Sequence, residues 1–508
     1  MAAVDPIYSR RWLILAIVGA AQLMVVLDAT VVNIALPSAQ RALDFSNGDR
    51  QWIVTGYALA FGSLLPLGGR IGDLFGRQRA FLTGLVGFAV ISAIAGRAQS
   101  FGWLVAARAA QGAFAALLAP AALAVLTTTF RDSSDRNRAF GIFGAIAGSG
   151  GAVGLLLGGA LTQYLSWRWT LYVNVLLALP TAAGVLTLLS EHRVTARPHL
   201  DLPGTVTASS GLAALAYGVS HAQSAGWSSS LTIACLAGSV LLLAVFVAIE
   251  RRSPNPLLPL HVLADRDRSG SYIAILLTGI GLFGVILLLT YYLQRLLGYS
   301  PVKTGLAFLP MVVATILTST TTSTVLLGRL GPRPLVVAGM VVTAAGMALL
   351  TRLGLHSSYA SDVLPALVPI GVGVGLVSTT SINTATAGIR PADSGIASAL
   401  VNTSQQVGGS VGTALLNTLA TIAAASFVRA HVAASALLAR ATVHGDSVAF
   451  WTGAGVFAFG GVVCGLLLRR QPVHPAVASE PVPAHHWSLG WHRPRAVVAA
   501  SERTLSNA

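Results

Sequence analysis

Fourteen runs of predominantly apolar residues, most of them roughly 20 residues long, follow one another along the chain. They fall at 12–35, 51–69, 80–96, 104–128, 138–164, 170–189, 204–221, 231–249, 271–293, 304–326, 335–353, 363–385, 394–422 and 448–468. About 20 residues coiled as an α-helix match the thickness of a bilayer core. Lipid offers no partner to an unpaired backbone group, so each run is predicted to be helical. The expected fold is an all-α polytopic membrane protein with 14 transmembrane helices. Charged residues make up 10% of the chain and hydrophobic residues 54%. A soluble domain carries about 25% charged residues, so that class is excluded. A disordered chain, which needs low hydrophobicity, is excluded too. Arg10 and Arg11 before the first run resemble the start of a signal peptide, but the run is too long and others follow at once. It is read as a retained first helix.

The net charge of +15 suggests nucleic acid at first sight. The basic residues are scattered between apolar runs, though, and not gathered on one face. Placing the N-terminus inside and alternating sides puts 22 Arg on the inner side and nine Arg or Lys on the outer. That is the positive-inside bias. It predicts a multi-pass protein of the cell membrane with both termini cytoplasmic, and no nucleic-acid partner. Lys303, the one lysine, follows Val302, so there is no Gly-Lys-Ser/Thr phosphate loop and no ATP partner is expected. H-E-x-x-H does not occur, and no G-x-S-x-G nucleophile elbow is read: the string at Gly408–Gly412 lies inside the thirteenth apolar run, with no strand before it. No enzyme activity, cofactor or metal is expected. Cys235 and Cys464 lie far apart in apolar runs and are read as packing residues. The segment 469–508 is rich in Pro and His and lacks a periodic apolar face; it is read as a disordered cytoplasmic tail, and His485 and His486 as part of it.

Two charges lie deep in apolar runs: Asp28 in the first and Arg108 in the fourth. An ionised group at membrane depth costs several kcal/mol (about 2.5–3.5 for Arg or Asp by insertion scales), so it normally faces a polar cavity and has a partner. The expectation is one shared cavity between the first and fourth helices, with Asp28 able to take up and release a proton. The alternative is a fixed pair that only holds two helices together. Residues 68–81, GGRIGDLFGRQRAF, read as a loop: Gly69, Gly72 and Gly76 permit a sharp turn, and Asp73 sits among Arg70, Arg77 and Arg79. In the fifth run Gly150, Gly154 and Gly158 recur every four residues on one helical face, where another helix can approach closely.

These segments resemble the major facilitator superfamily, and within it the fourteen-helix drug:proton antiporters that export drugs and antibiotics from bacteria. The similarity runs over roughly residues 10–470. The loop motif G-x-L-a-D-r-x-G-r is matched at Gly69, Ile71, Gly72, Asp73, Gly76 and Arg77, with Leu74 where a basic residue is usual. R-x-x-Q-G is matched at Arg108, Gln111 and Gly112, and L-D-x-T-V-V-N-x-A-L-P from Leu27 to Pro37. The fifth-helix motif G-x-x-x-G-P-x-x-G-G is matched at Gly150, Gly154, Gly158 and Gly159, but Leu155 stands in place of its proline. Leu155 keeps its amide N–H and predicts a straighter helix. The resemblance implies two six-helix halves, 12–189 and 271–468, around an inserted pair, 204–249, after a cytoplasmic N-terminus, 1–11. It implies alternating access to a cavity between the halves. It also implies a cytoplasmic gate built on Gly69, Asp73, Gly76 and Arg77, and proton coupling at Arg108 with Asp28 and Gln111.

The second half offers polar but uncharged handles, among them the Ser/Thr run 318–324 and the stretch from Asn402 to Gln406. Thr30, Asn33, Trp52, Tyr57, Gln111, Asn402 and Gln405 are the candidate lining of a substrate cavity; helix–helix glue or core packing is the alternative for each. With no second deep acid in view, a neutral, zwitterionic or monocationic amphipathic compound is expected, and a strong dication is not. The partners expected are that small molecule, protons and lipid, for a monomer. The competing function is another secondary transporter on the same fold, moving a metabolite, amino acid or siderophore with or without proton antiport. Leu155 is the residue that favours it.

Overall fold

The computed structural model describes residues 10–130, 133–189, 201–253, 258, 260–387, 389, 394–431 and 436–469. Among them fourteen helices of membrane length follow in order: α1 (Arg11–Leu43), α2 (Gln51–Phe75), α3 (Arg77–Gly96), α4 (Phe101–Thr129), α5 (Ser133–Tyr164), α6 (Trp169–Leu188), α7 (Leu202–Ala225), α8 (Ser230–Glu250), α9 (Arg266–Leu296), α10 (Pro301–Leu330), α11 (Pro332–Leu350), α12 (Tyr359–Thr386), α13 (Ser394–Ala430) and α14 (Leu437–Leu467). Eleven helices are long and apolar enough to cross a membrane, judged on described residues. The described residues contain no strand. The expected all-α polytopic architecture is the observed one. The expectations for the tail from residue 470 onward, His485 and His486 included, and for residues 1–9, lie outside the described residues.

Local chemistry sets many of the helix ends. The side chains of Ser100, Asp201, Asp265 and Ser300 accept from backbone N–H groups of the first turns of α4, α7, α9 and α10. Such caps satisfy donors that have no partner inside the helix. Helix α1 continues past residue 35 to Leu43, with Pro37 inside it. Helix α14 begins at Leu437 and not near 448, because residues 437–447 are helical although mixed in polarity. The stretch 68–81 is a correction to the sequence reading. It is not a loop: α2 runs through Gly72 to Phe75, and only Gly76, at φ 98°, separates it from α3. That left-handed backbone is one a side-chain-bearing residue rarely adopts.

Two groups of helices pack internally. In the first, α2 packs on α4, α1 on α5, and α3 on α4 and α6; in the second, α9 packs on α13, and α11 on α12 and α14. The first has a buried core around Met24, Tyr57, Phe61, Phe81 and Phe88. The second has one around Tyr292, Phe308, Met340, Phe450 and Phe457. Helices α7 and α8 pair with each other, and α7 also touches α2 and α13. The Ser209 hydroxyl of α7 donates to the Ser63 carbonyl of α2 at 2.6 Å. Helix α8 buries only 11% of its most apolar window and α9 67%, which puts α8 at the lipid-facing rim and α9 inside.

Hydrogen bonds between α1–α6 and α9–α14, among the described residues, gather at one end of the bundle, where α1, α5 and α13 terminate. Gln294 donates to the Ile34 carbonyl at 2.9 Å, Arg295 to Gln40 at 3.2 Å, Arg50 to Asn417 at 2.7 Å, and the Val302 amide to Gln163 at 3.2 Å. Glycines allow the backbones to meet there. A Cβ on Gly159 would sit 2.7 Å from the Pro301 carbonyl oxygen, and one on Gly305 2.6 Å from that of Leu155. The bundle is closed at this end.

The glycine face of α5 packs on α1. Gly150 faces Val26, Gly154 faces Thr30, and a Cβ on Gly158 would lie 2.8 Å from the Val31 carbonyl oxygen. Helix α5 is continuous through Leu155, as expected for a residue that keeps its amide N–H. Gly154→Ala is expected to overpack against the Thr30 hydroxyl and cost about 1–3 kcal/mol. Thr30→Ala in the same chain removes the clashing atom and should restore most of the loss. Thermal unfolding of the two single variants and the double variant in detergent checks this.

Candidate functional site

Asp28 and Arg108 are fully buried in the first group, at 0% and 1% exposure. Both sit in the middle of long helices, α1 and α4, whose neighbouring residues are apolar. Neither can snorkel to water, so each must be satisfied inside the protein. The structure satisfies them with each other: Arg108 Nη1 donates to Asp28 Oδ2 in a buried ion pair. The same Nη1 lies 2.9 Å from Gln111 Oε1, and Arg108 Nε donates to the Ile53 carbonyl of α2 at 3.3 Å. The guanidinium stands over the Tyr57 ring, 4.3 Å from its centroid, in cation–π contact.

Two residues that the sequence reading did not place in the site complete it. Asn174 of α6 donates to Asp28 Oδ1 at 2.7 Å and lies 3.4 Å from the Ser92 hydroxyl of α3. Gln111 Nε2 donates to Ser92 Oγ at 2.7 Å and to Asp28 Oδ1 at 3.3 Å. Five helices, α1, α2, α3, α4 and α6, therefore meet in one network around the Asp28 carboxylate, which itself accepts from α4 and α6. Ser92 and Asn174, each fully buried, are polar residues inside apolar runs. That was the available signal, but an uncharged polar residue in such a run is as often helix glue. Beside Arg108, apolar side chains of Val32, Leu36, Ile53, Leu104 and Trp167 line a small void that extends toward the closed end.

The other candidates fall in three places. Tyr57 belongs to the centre. Thr30 and Asn33 hydrogen-bond to carbonyls of their own helix, Thr30 to Val26 and Leu27, and Asn33 to Ala29. Trp52 turns to α7, its ring 5.8 Å from that of Tyr217. Asn402 and Gln405 are exposed on α13, and Asn402 donates to the Ser398 carbonyl. In the gate motif Gly69 lies near Pro120 of α4, Gly76 makes the break described above, and Arg77 is exposed at the start of α3. The backbone of Asp73 lies in α2; its side chain lies outside the described residues.

One sequence expectation is overturned. Asp28 is not alone as a deeply placed acid: Asp446, in the first turns of α14, is 5% exposed. It escaped notice because the apolar run begins only after it. Arg50, expected in a loop, is likewise buried, at 6%. Cys235 and Cys464 are both free thiols.

With this geometry in hand, similarity to known proteins decides the family. The profile of the Major Facilitator Superfamily matches residues 18–413, from within α1 to within α13, and takes in the deep centre. The chain belongs to the Major Facilitator Superfamily. It is 48% identical over 464 residues, 91% of this chain and 92% of the relative, to a puromycin resistance protein, pur8, of Streptomyces alboniger. It is 40% identical over 402 residues, 78% and 83% of the two chains, to the cephamycin export protein CmcT of Amycolatopsis lactamdurans. A solved POT family transporter, PepTSo, superposes with a TM-score of 0.66 at 15% identity, covering 89% of this chain and 97% of that one. At that identity the likeness concerns the fold. Members of the superfamily are multi-pass membrane transporters and not enzymes, and the superfamily resemblance read from the motifs is the one found.

Proposed function

We propose that this transporter exports amphipathic antibiotics across the cell membrane in exchange for protons, by alternating access. The observation that carries the reading is the buried Asp28–Arg108–Gln111 centre. Its geometry supports a proton-operated switch. Three donors converge on Asp28, from Arg108, Gln111 and Asn174. A proton arriving at Oδ2 displaces Arg108 Nη1, and Arg108 keeps Gln111 Oε1 and the Ile53 carbonyl as acceptors. Release of the carboxylate therefore leaves the guanidinium held, while the ion pair between α1 and α4 is broken and only the 3.3 Å bond from Gln111 to Oδ1 still joins them there. The two moving bodies are α1–α6 and α9–α14, with α7 and α8 as an inserted pair. The basic residues favour both termini in the cytoplasm. The closed end is then the outer one, and an exported compound enters from the opposite, cytoplasmic end. The Asp73–Arg77 segment, one turn of backbone around Gly76, latches the inner end in the opposite state.

Resistance and export functions in the names of two relatives support an antibiotic-like substrate. Asn402 and Gln405 offer hydrogen bonds without charge from α13, which suits a neutral or monocationic compound. The test is drug accumulation in an efflux-deficient host. Cells expressing the wild type should hold less puromycin and less ethidium than cells expressing Arg108→Ala, and a protonophore should erase the difference. A difference that survives the protonophore would favour transport without proton antiport, the reading that Leu155 supports.

A further inference from the structure

Arg50 is a second buried cation, and unlike Arg108 it reaches across the two helix groups. Its Nε donates to Asn417 Oδ1 of α13 at 2.7 Å. Its guanidinium lies over the Tyr291 ring of α9, 4.1 Å from the centroid. Asn417 Nδ2 in turn lies 3.3 Å from the Asn47 carbonyl and from Gln51 Oε1, which ties α13 back to the start of α2. One residue of the first group thus grips two helices of the second.

No carboxylate among the described residues lies within ion-pair distance of Arg50. The acid within electrostatic reach is Asp446 of α14, with Tyr291 and Arg295 of α9 as the other ionisable neighbours. Asp446 Oδ2 is buried and makes no hydrogen bond among the described residues. The same holds for the hydroxyls of Thr55 on α2, Tyr291 on α9, and Ser410 and Thr413 on α13. Buried polar groups are normally paired. Groups left unpaired in a closed interface regain hydrogen bonds to water when it opens, so they lower the cost of opening. The closed state then depends on the few strong contacts present; Arg50 and Arg295 make the charged ones, and of the two only Arg50 is buried.

We propose that Arg50 is the latch of the closed end and that Asp446 is a positioning residue acting through it. In its ionised form the Asp446 carboxylate on α14 supplies the opposite charge that draws Arg50 onto α9 and α13. In a low-dielectric interior a charge acts over such a distance without contact. The proposal rests on the alternating-access reading above.

Thr413, fully buried beside this network, reports on the opening. In a C235A/C464A background, Thr413→Cys is reacted from outside intact cells with a membrane-impermeant maleimide. Arg50→Ala should speed labelling about tenfold or more, and Asp446→Asn about fivefold; the double variant should label no faster than Arg50→Ala alone, because Asp446 acts through Arg50. Should Arg50→Ala fail to fold, Asn417→Ala removes the acceptor while keeping both charges, and it too should speed labelling. An unchanged rate in Asp446→Asn, or effects that multiply in the double variant, would overturn the proposal. Export by the Thr413→Cys parent is measured separately. A parent that does not export contradicts the transport reading, while the labelling rates still judge the latch.

Discussion

Arg108→Ala is expected to abolish proton-driven transport and to weaken the fold by about 3–5 kcal/mol, the cost of stripping one partner from a buried ion pair. The loss has three sources. Asp28 keeps only the donors of Gln111 and Asn174, the Ile53 carbonyl and Gln111 Oε1 lose their donor, and the Tyr57 ring loses the cation above it. Arg108→Lys should recover part of the stability and little of the transport. A lysine ammonium is a point charge, whereas Arg108 uses two separate nitrogens to reach Asp28, Gln111 and Ile53 at once. Thermal unfolding in detergent separates the two effects. A lysine variant that transports as well as the wild type would show that charge alone matters at this position.

Asp28→Asn has the second-largest expected effect, and its signature differs. The amide fits the space of the carboxylate and can accept at its oxygen, so folding should survive with a smaller penalty than in Arg108→Ala. The proton acceptor is gone. Substrate binding should therefore persist and lose its pH dependence. In the wild type, acidification should weaken binding, because a proton and a substrate favour different states of the centre. In Asp28→Asn the binding curve should be flat with pH. Transport down a substrate gradient should continue, and uphill transport driven by a pH gradient should fall to background. Binding titrations of the purified protein between about pH 5 and 8 read this directly, a range around physiological pH. A pH-dependent affinity that survives the substitution would place the proton elsewhere.

The fold and the deep pair were legible for one reason: charge in an apolar run is rare and expensive, so its position carries information. Asp28 and Arg108 stood out by that criterion alone, and the structure pairs them directly where sequence could place them only in one cavity. Ser92 and Asn174 were not legible, since a neutral polar residue in a span has several cheap explanations. The stretch around Gly69 and Asp73 read as a loop because glycines and arginines mark inner turns. In the structure one glycine makes the turn and the helix carries the rest. Arg50 and Asp446 were hidden by a boundary effect. Residues 437–447 mix Arg, His and Asp with small residues, so hydropathy starts the last span too late and leaves Asp446 outside it. A helix packed against α13 and α11 tolerates that mixture, because Ala441, Gly445 and Asp446 turn to protein while Leu438, Arg440 and His444 stay exposed.

The central claim is that a proton gradient drives export through the Asp28–Arg108 centre. The most direct measurement is flux in inside-out vesicles given an inside-acid pH gradient, with ethidium as a fluorescent amphipathic cation, for wild type, Asp28→Asn and Arg108→Ala. The prediction is uptake by the wild type that collapses on adding a protonophore, and none above background in either variant. Gradient-driven uptake that persists in both variants would contradict the assignment of the coupling centre. Folded, inserted wild-type protein that binds ethidium but shows no gradient-dependent uptake would contradict proton antiport itself.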